Sequence, residues 1–157
     1  MTPAQPQIPR SEKLHVLLVN DDEALRAVLK DYLEFTSSLI VTGAANGKDA
    51  LRLATEAKVD LVVSDLKRPD EDVEGFIATF KAAHPTVPLA ILSGNPLLSP
   101  VAHHPEGQRL RHRLHQLGVA ACFCCGSEIV ETLPQDLLRV FLQSPPGGSR
   151  QALGDPV

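Results

Sequence analysis

Three aspartates and one serine stand at the ends of short apolar runs, where parallel strands would bring them together. Asp21 and Asp22 follow a run at 14–19, whereas Asp65 and Ser93 each end a later run. The carboxyl ends of neighbouring parallel strands form the edge at which such sheets bind ligands. Carboxylates held close together repel one another and require a counter-charge. The sequence therefore predicts a hard divalent cation with oxygen ligands at this edge, and Mg²⁺ fits best.

A simpler explanation exists for part of this pattern. Asp22 and Glu23 could merely begin a helix, because acidic side chains are favoured near the positive end of the helix dipole. That explanation covers the acidic pair, but it leaves Asp65 and Ser93 at the ends of other strands unexplained. Either interpretation suits the acidic pair alone, but Asp65 and Ser93 together favour the cation site over a simple helix start.

The elements that would position these residues alternate regularly along the chain. Nearly continuous apolar runs are typical of strands covered on both faces, and the segments between them have helical periodicity. This alternation predicts an α/β fold with a doubly wound, five-stranded parallel sheet and right-handed crossovers. The predicted strands are 14–19, 39–44, 60–65, 88–93 and 119–124, and the predicted helices are 23–35, 48–57, 73–84, 107–117 and 134–142.

Composition limits the class of protein. Of the 157 residues, 1–12 and 143–157 are rich in proline, so we expect a flexible arm, a folded domain at 13–142 and a disordered tail. The net charge of −4 argues against a nucleic-acid binder. No apolar run reaches the roughly 20 residues that span a bilayer. We therefore expect no membrane association. Three clustered cysteines make a poor disulfide framework, so we expect a cytoplasmic location.

Four stretches in order, 19–34, 44–54, 60–70 and 88–95, resemble the receiver domain of bacterial two-component response regulators. No single stretch is specific, but their order and separation make the resemblance strong. It covers 14–142 and implies the flavodoxin-like (βα)5 fold of that family. It also implies that the chain is not an enzyme but a phosphoprotein that takes part in phosphorelay signalling.

The resemblance assigns a role to each candidate residue. Asp21 and Asp22 resemble the acidic pair that binds Mg²⁺, and the backbone carbonyl of Lys67 falls where the family completes the metal shell. Asp65 resembles the phosphoacceptor, which acts as a nucleophile. Ser93 resembles the hydroxyl residue that bonds the phosphoryl group and shifts on activation.

One departure from the family separates two hypotheses about function. The family ends its fifth strand with lysine and proline, but Cys125 and Gly126 stand in those positions, and no lysine follows Lys81. The first hypothesis is a stand-alone receiver that takes a phosphoryl group on Asp65 from a histidine kinase or phosphotransfer protein. The alternative is a pseudo-receiver, a protein-binding module whose switch is independent of phosphorylation. An apparent insertion at 95–106 would border the site in either case.

The resemblance also implies an output surface on helix four, strand five and helix five, where a downstream protein would bind. Arginines and histidines on helix four would give this surface a basic face for an acidic partner. The alternative is that these side chains are simply solvated, and this alternative is favoured. Direct nucleic-acid binding is not expected, because there is no helix-turn-helix pattern. Cys122, Cys124 and Cys125 lack the usual zinc spacing, so zinc is not predicted.

Overall fold

The computed structural model describes residues 13–66, 71–94, 104–124 and 127–143, with side chains from residue 132 onward in the last range. Within these ranges five strands alternate with five helices, as the sequence predicts. The strands are β1 (Leu14–Val19), β2 (Leu39–Ala44), β3 (Leu61–Ser64), β4 (Leu89–Ser93) and β5 (Val119–Cys124). The helices are α1 (Glu23–Thr36), α2 (Gly47–Glu56), α3 (Val73–Ala83), α4 (Pro105–Gln116) and α5 (Ser127–Gln143).

All five strands pair in parallel in the order β2-β1-β3-β4-β5, which confirms the predicted doubly wound sheet. The chain moves from β1 to β2 on one side and then returns to β3 on the other side of β1. The strand order therefore reverses between β1 and β3, and the crevice outside their carboxyl ends is the expected ligand site. The register brings Val19 level with both Ala44 and Ser64, so the three strands end together.

The core lies on both faces of the sheet, which explains why the strands are almost continuously apolar. Alternate residues of β1 enter different clusters: Leu17 packs with Phe80 on one face, and Leu18 packs with Leu29 and Leu137 on the other. Full burial of each such side chain stabilises the fold by about 1.5–3 kcal/mol. The two clusters fix the helices that begin beside the carboxyl edge.

Three helices begin with a side-chain cap that the loop before them supplies. Asp22, Asn46 and Asp72 each accept the backbone N–H three residues further on, at 3.1, 2.8 and 3.0 Å. Such caps satisfy N–H groups that have no partner within the helix. No helix within the described ranges combines the length and the apolar character that crossing a bilayer requires.

The predicted first residues of two helices were wrong. Pro134, predicted in the first turn of the last helix, lies inside α5, which begins at Ser127. A proline inside a helix removes one hydrogen bond, but the extension carries Leu133 into the core, where it is 1% exposed. Helix α4 begins at Pro105 rather than at 107, because proline suits the first helical position. The predicted arm lies outside the described residues, as does the predicted tail apart from Gln143.

Strand β2 forms one edge of the sheet, and a glutamate from α1 covers part of it. Glu34 Oε2 accepts the Val41 N–H at 2.8 Å, and Oε1 accepts from Lys30 Nζ at 2.8 Å. The bond to Lys30, followed by the bond to Val41, lowers the pKa of Glu34 below its ordinary value. An edge N–H that is occupied in this way is protected from pairing with another strand.

We expect Glu34→Gln to lower the free energy of unfolding near neutral pH by about 0.5–1 kcal/mol, since a charged acceptor on the surface is replaced by a neutral one. The pKa of Glu34 is lower in the folded protein than in the unfolded chain. Its stabilisation is therefore present above the unfolded pKa and is lost as the pH falls through the folded pKa. Urea unfolding across the acidic range should show the two proteins converging. Glu56→Gln, at an exposed glutamate on α2, is the matched control, and an equal effect there would contradict the edge interpretation.

Candidate functional site

The structure brings Asp21 and Asp65 together where β1 and β3 end. The Asp65 N–H donates to the Val19 carbonyl at 3.0 Å, which continues the ladder between the two strands by one residue. This bond holds Asp65 at the start of its loop, with its side chain half-buried. The Asp65 carboxylate lies beside the loop between β1 and α1, with Oδ2 3.4 Å from the backbone nitrogen of Asp21. The distance is long for a hydrogen bond, but it puts the two aspartates in adjacent positions.

Asp22 has a different local role from Asp21. Its side chain is exposed, and its Oδ1 accepts the Leu25 N–H at 3.1 Å as the cap of α1. This is the capping role that the sequence left open as an alternative. A carboxylate that accepts one N–H still has lone pairs for a metal, so the assignment of Asp22 as a metal ligand stays a prediction.

Asn20 is the residue of this loop to which the sequence assigned no role. Its side chain is 8% exposed, and Oδ1 accepts the Asp22 N–H at 2.8 Å. Its backbone N–H donates to the Ala44 carbonyl at 3.0 Å. These bonds tie the loop to both β2 and the start of α1. The available signal was its position directly after a buried strand, where a buried amide needs partners.

Arg26 completes the loop from the first turns of α1. Its Nη1 donates to the Asn20 carbonyl at 2.7 Å, a short distance typical of a charge-assisted bond. Gly43 on β2 provides the space for this side chain, because a Cβ at Gly43 would lie 2.9 Å from Arg26 Cδ. The loop that carries Asp21 is therefore braced by Arg26, six positions after Asn20, and by a glycine on the neighbouring strand.

Ser93 is the last residue of β4, the strand next to β3, which Asp65 directly follows. It is half-buried, and its register partner on β5 is Cys124. Ser64 lies level with Ile91 two residues earlier on β4, so Ser93 projects to the same edge as Asp65. The remaining predicted ligand, Lys67, lies outside the described residues, and so do Cys125 and Gly126 in the family's lysine and proline positions.

The donor set fits a hard cation in its chemistry. Within the described residues no three side chains of His, Cys, Asp or Glu lie close enough to hold a metal ion. Mg²⁺, however, is commonly bound by only one or two carboxylates and keeps several waters. Asp21 and Asp65 supply two such carboxylates on adjacent loops. The part of the site that is described therefore suits Mg²⁺ better than a metal that needs a closed protein cage.

Cys122 of β5 has the character of a core residue, since it packs against one of the core clusters. Burial raises the pKa of the Cys122 thiol, and the nearby charge of Arg111 offsets this only in part. A thiol with a raised pKa is a poor nucleophile and a poor metal ligand near neutral pH, because both roles need the thiolate. Cys122 therefore fills space in the sheet.

The basic face of α4 is partly neutralised by α3. Arg113 donates from Nε and Nη2 to the two carboxylate oxygens of Glu74, both at 2.9 Å. This bidentate pair raises the pKa of Arg113 above its usual value. Arg109 and His112 lie on the exposed side of the helix.

Comparison of sequences identifies relatives for the first two-thirds of the fold. The sequence model of the response regulator receiver domain family matches residues 16–102, more than half of the chain. The transcriptional regulatory protein GlrR of Escherichia coli K12 is 36% identical over 81 residues, which are 52% of this chain but only 18% of GlrR. The chain thus matches less than a fifth of the length of this curated relative.

Solved structures extend the likeness to most of the chain. The non-phosphorylated receiver domain of HemR from Leptospira biflexa has a TM-score of 0.68 and 28% identity, covering 87% of this chain and all of that domain. The response regulator TrrA of Thermotoga maritima, solved with Mg²⁺ and BeF, has a TM-score of 0.65. The match covers 81% of this chain and 98% of the TrrA chain. At 17% identity, the second likeness concerns the fold alone.

We expect Arg26→Met to loosen the loop that carries Asp21, because the Asn20 carbonyl loses its charged donor. The free energy of unfolding should fall by about 1–2 kcal/mol. Affinity for Mg²⁺, measured by titration of backbone amide NMR shifts, should fall about tenfold, as for other groups that position metal ligands.

Gly43→Ala should reproduce part of this effect, since the new methyl group displaces the Arg26 side chain. Arg52→Met, at an exposed arginine on α2, is the control. Wild-type Mg²⁺ affinity in both Arg26→Met and Gly43→Ala would show that the brace does not position Asp21.

Proposed function

The chain belongs to the response regulator receiver domain family, and on this basis we propose that it accepts a phosphoryl group on Asp65 and signals through a partner protein. One observation carries the proposal. The Asp65 carboxylate lies at the strand-order reversal between β1 and β3, next to Asp21. A nucleophile at this position is open to a donor that approaches the carboxyl edge of the sheet.

The proposed transfer is a simple displacement at phosphorus. An Asp65 carboxylate oxygen attacks the phosphorus of a phosphohistidine, the P–N bond breaks, and the departing imidazole takes up a proton. An acyl phosphate on Asp65 results. Mg²⁺, bound by Asp21, Asp65 and the predicted Lys67 carbonyl, would supply positive charge to the transferring oxygens. Asp22 remains a further predicted ligand, since a carboxylate that accepts one N–H from Leu25 still has lone pairs for a metal.

Ser93 is the residue proposed to detect the product. Its hydroxyl can donate a hydrogen bond to a phosphoryl oxygen, and it stands on β4 at the same edge of the sheet as Asp65. A shift of Ser93 would act on β5 through its register partner Cys124. This path leads towards α4, β5 and α5, the surface proposed for a downstream protein.

The donor and setting follow from the same family membership. We propose a histidine kinase or phosphotransfer protein as the donor, and a cytoplasmic, two-component pathway as the setting. Receiver domains are generally not enzymes, and we propose a signalling role here. Neither direct nucleic-acid binding nor membrane association is part of the proposal.

A second function is favoured by one specific feature of the sequence. Cys125 replaces the lysine that would give the phosphoryl group its second positive charge. A pseudo-receiver that binds its partner without phosphorylation would not need that lysine. The two candidates differ in whether Asp65 reacts.

We expect incubation with Mg²⁺ and acetyl phosphate to add one phosphoryl group to the wild-type protein and none to Asp65→Ala, by intact mass spectrometry. Asp60→Ala is the control, because Asp60 directly precedes β3 and so lies at the opposite end of that strand from Asp65. This variant should still form the adduct. A folded wild-type protein that takes up no phosphoryl group would overturn the proposal and leave the pseudo-receiver. An adduct on Asp65→Ala would place the acceptor elsewhere.

We expect Cys125→Lys to raise the initial rate of adduct formation by about tenfold or more, since an added positive charge stabilises the charge that develops on the phosphoryl group. Cys125→Met supplies a long side chain without the charge and should leave the rate unchanged. An equal gain in both variants would attribute the effect to packing, and no gain in either would show that the missing lysine does not limit the reaction.

A further inference from the structure

Large apolar side chains are exposed mainly on two neighbouring helices. Among the described residues five large hydrophobic side chains are exposed, and four of them belong to α1 or α5. Phe35 is 87% exposed and Val28 63%, both on α1; Leu142 on α5 is 47% exposed. Isolated exposed apolar residues are ordinary, but a contiguous group of them on a protein surface marks an interaction site.

These residues share one outer face of the molecule. Helices α1 and α5 cover the same side of the sheet, since Tyr32 of α1 and Phe141 of α5 pack against one core cluster. Val28 and Phe35 are seven residues apart, two helical turns, and therefore lie on one side of α1, with Tyr32 between them. We call this surface the α1/α5 face; it comprises four exposed side chains, Leu25, Val28, Phe35 and Leu142, and the partly buried Leu138 of α5.

The most apolar end of the α1/α5 face is the end that lies furthest from the candidate site. Both helices begin beside the carboxyl edge of the sheet and run towards the opposite edge. Phe35 is twelve residues into α1 and Leu142 fifteen into α5, or about 18 and 22 Å along their axes. The two side chains therefore lie at similar depth, at the end remote from Asp65.

Among the described residues, this face has an aspartate on α1 and an arginine on α5. Asp31 is exposed on α1, one turn before Phe35. Arg139 is exposed on α5, one turn before Leu142, and its Nη1 donates to Asp136 at 3.0 Å. A guanidinium has five N–H donors, so this bond does not exhaust Arg139. A negative charge therefore precedes Phe35 on α1, and a positive charge precedes Leu142 on α5.

We propose that the α1/α5 face binds a second copy of this chain in a two-fold symmetric dimer. A two-fold axis parallel to the helices places α1 of one protomer over α5 of its partner, and does so twice. Phe35 then meets Leu138 and Leu142 of the second copy, and Asp31 comes within reach of its Arg139. A symmetric pairing uses both the apolar residues and the opposite charges, which is why a second copy fits this face better than a purely apolar partner.

Sedimentation equilibrium of the wild-type protein tests the proposal directly. Two helical faces make a small interface, so we expect dissociation constants of about 10–100 µM, weaker than interfaces of standard size give. Phe35→Glu and Leu142→Glu should be monomeric across this range. Ile40→Glu, at an exposed apolar residue on β2 outside the face, should dimerise like the wild type. Circular dichroism checks that each variant is folded.

A charge-reversal cycle identifies the geometry. Asp31→Arg and Arg139→Asp each place like charges across the interface and should weaken the dimer about tenfold, whereas the double reversal should restore it. Failure of the double variant to recover would overturn the two-fold arrangement. A wild-type protein that stays monomeric to about 500 µM, well beyond the expected range, would overturn the dimer and leave the face to another protein or to residues 144–157. None of these variants touches Asp65, so the phosphoryl-transfer assay stands or fails separately.

Discussion

The parallel pairing of β1 with β3 is the constraint on which the candidate site depends. Val19 lies level with Ser64, and the Asp65 N–H continues the ladder to the Val19 carbonyl. Both strands are buried on both faces, so a shift of one residue would transfer every side chain to the wrong cluster. The free energy of the core therefore fixes the position of Asp65 relative to Asp21. The polar residues at the edge add chemistry to a position that apolar packing has already determined.

Hydrogen-bond requirements then distinguish between residues that look alike in the sequence. Asp21 and Asp22 are neighbours with the same carboxylate, but the first turn of α1 has unpaired N–H groups that need a cap. Asp22 fulfils this need, while the buried amide of Asn20 and the guanidinium of Arg26 hold the turn from either side. Asp21 is the member of the pair whose backbone lies against Asp65. The local demands of helix initiation thus give each of the two aspartates its own environment.

The parts of the structure that the sequence predicts are those determined by local pattern. Buried strands are nearly continuous apolar runs, so all five strands could be predicted from single segments, and their alternation with helices predicted a parallel sheet. The start of α5 could not, because Pro134 is equally typical of a first turn, and only the burial of Leu133 decides the matter. The brace of Arg26 by Gly43 joins α1 to β2 across seventeen residues, and no spacing rule relates them. The roles of Lys67 and Cys125 come from the family resemblance alone, since both residues lie outside the described ranges.

Helix α1 links the two functional proposals physically. Its first turn is capped by Asp22 and tied through Arg26 to the loop that carries Asp21, and its last turns present Phe35 to solvent. Between these ends Leu29 and Leu33 anchor it in the core. In the two proposals, a phosphoryl group beside Asp21 would act on one end of this helix, and a second protomer would act on the other. Any change in the position of α1 on phosphorylation would alter the free energy of dimerisation, and by thermodynamic reciprocity dimerisation would alter the equilibrium of phosphoryl transfer to Asp65 by the same free energy.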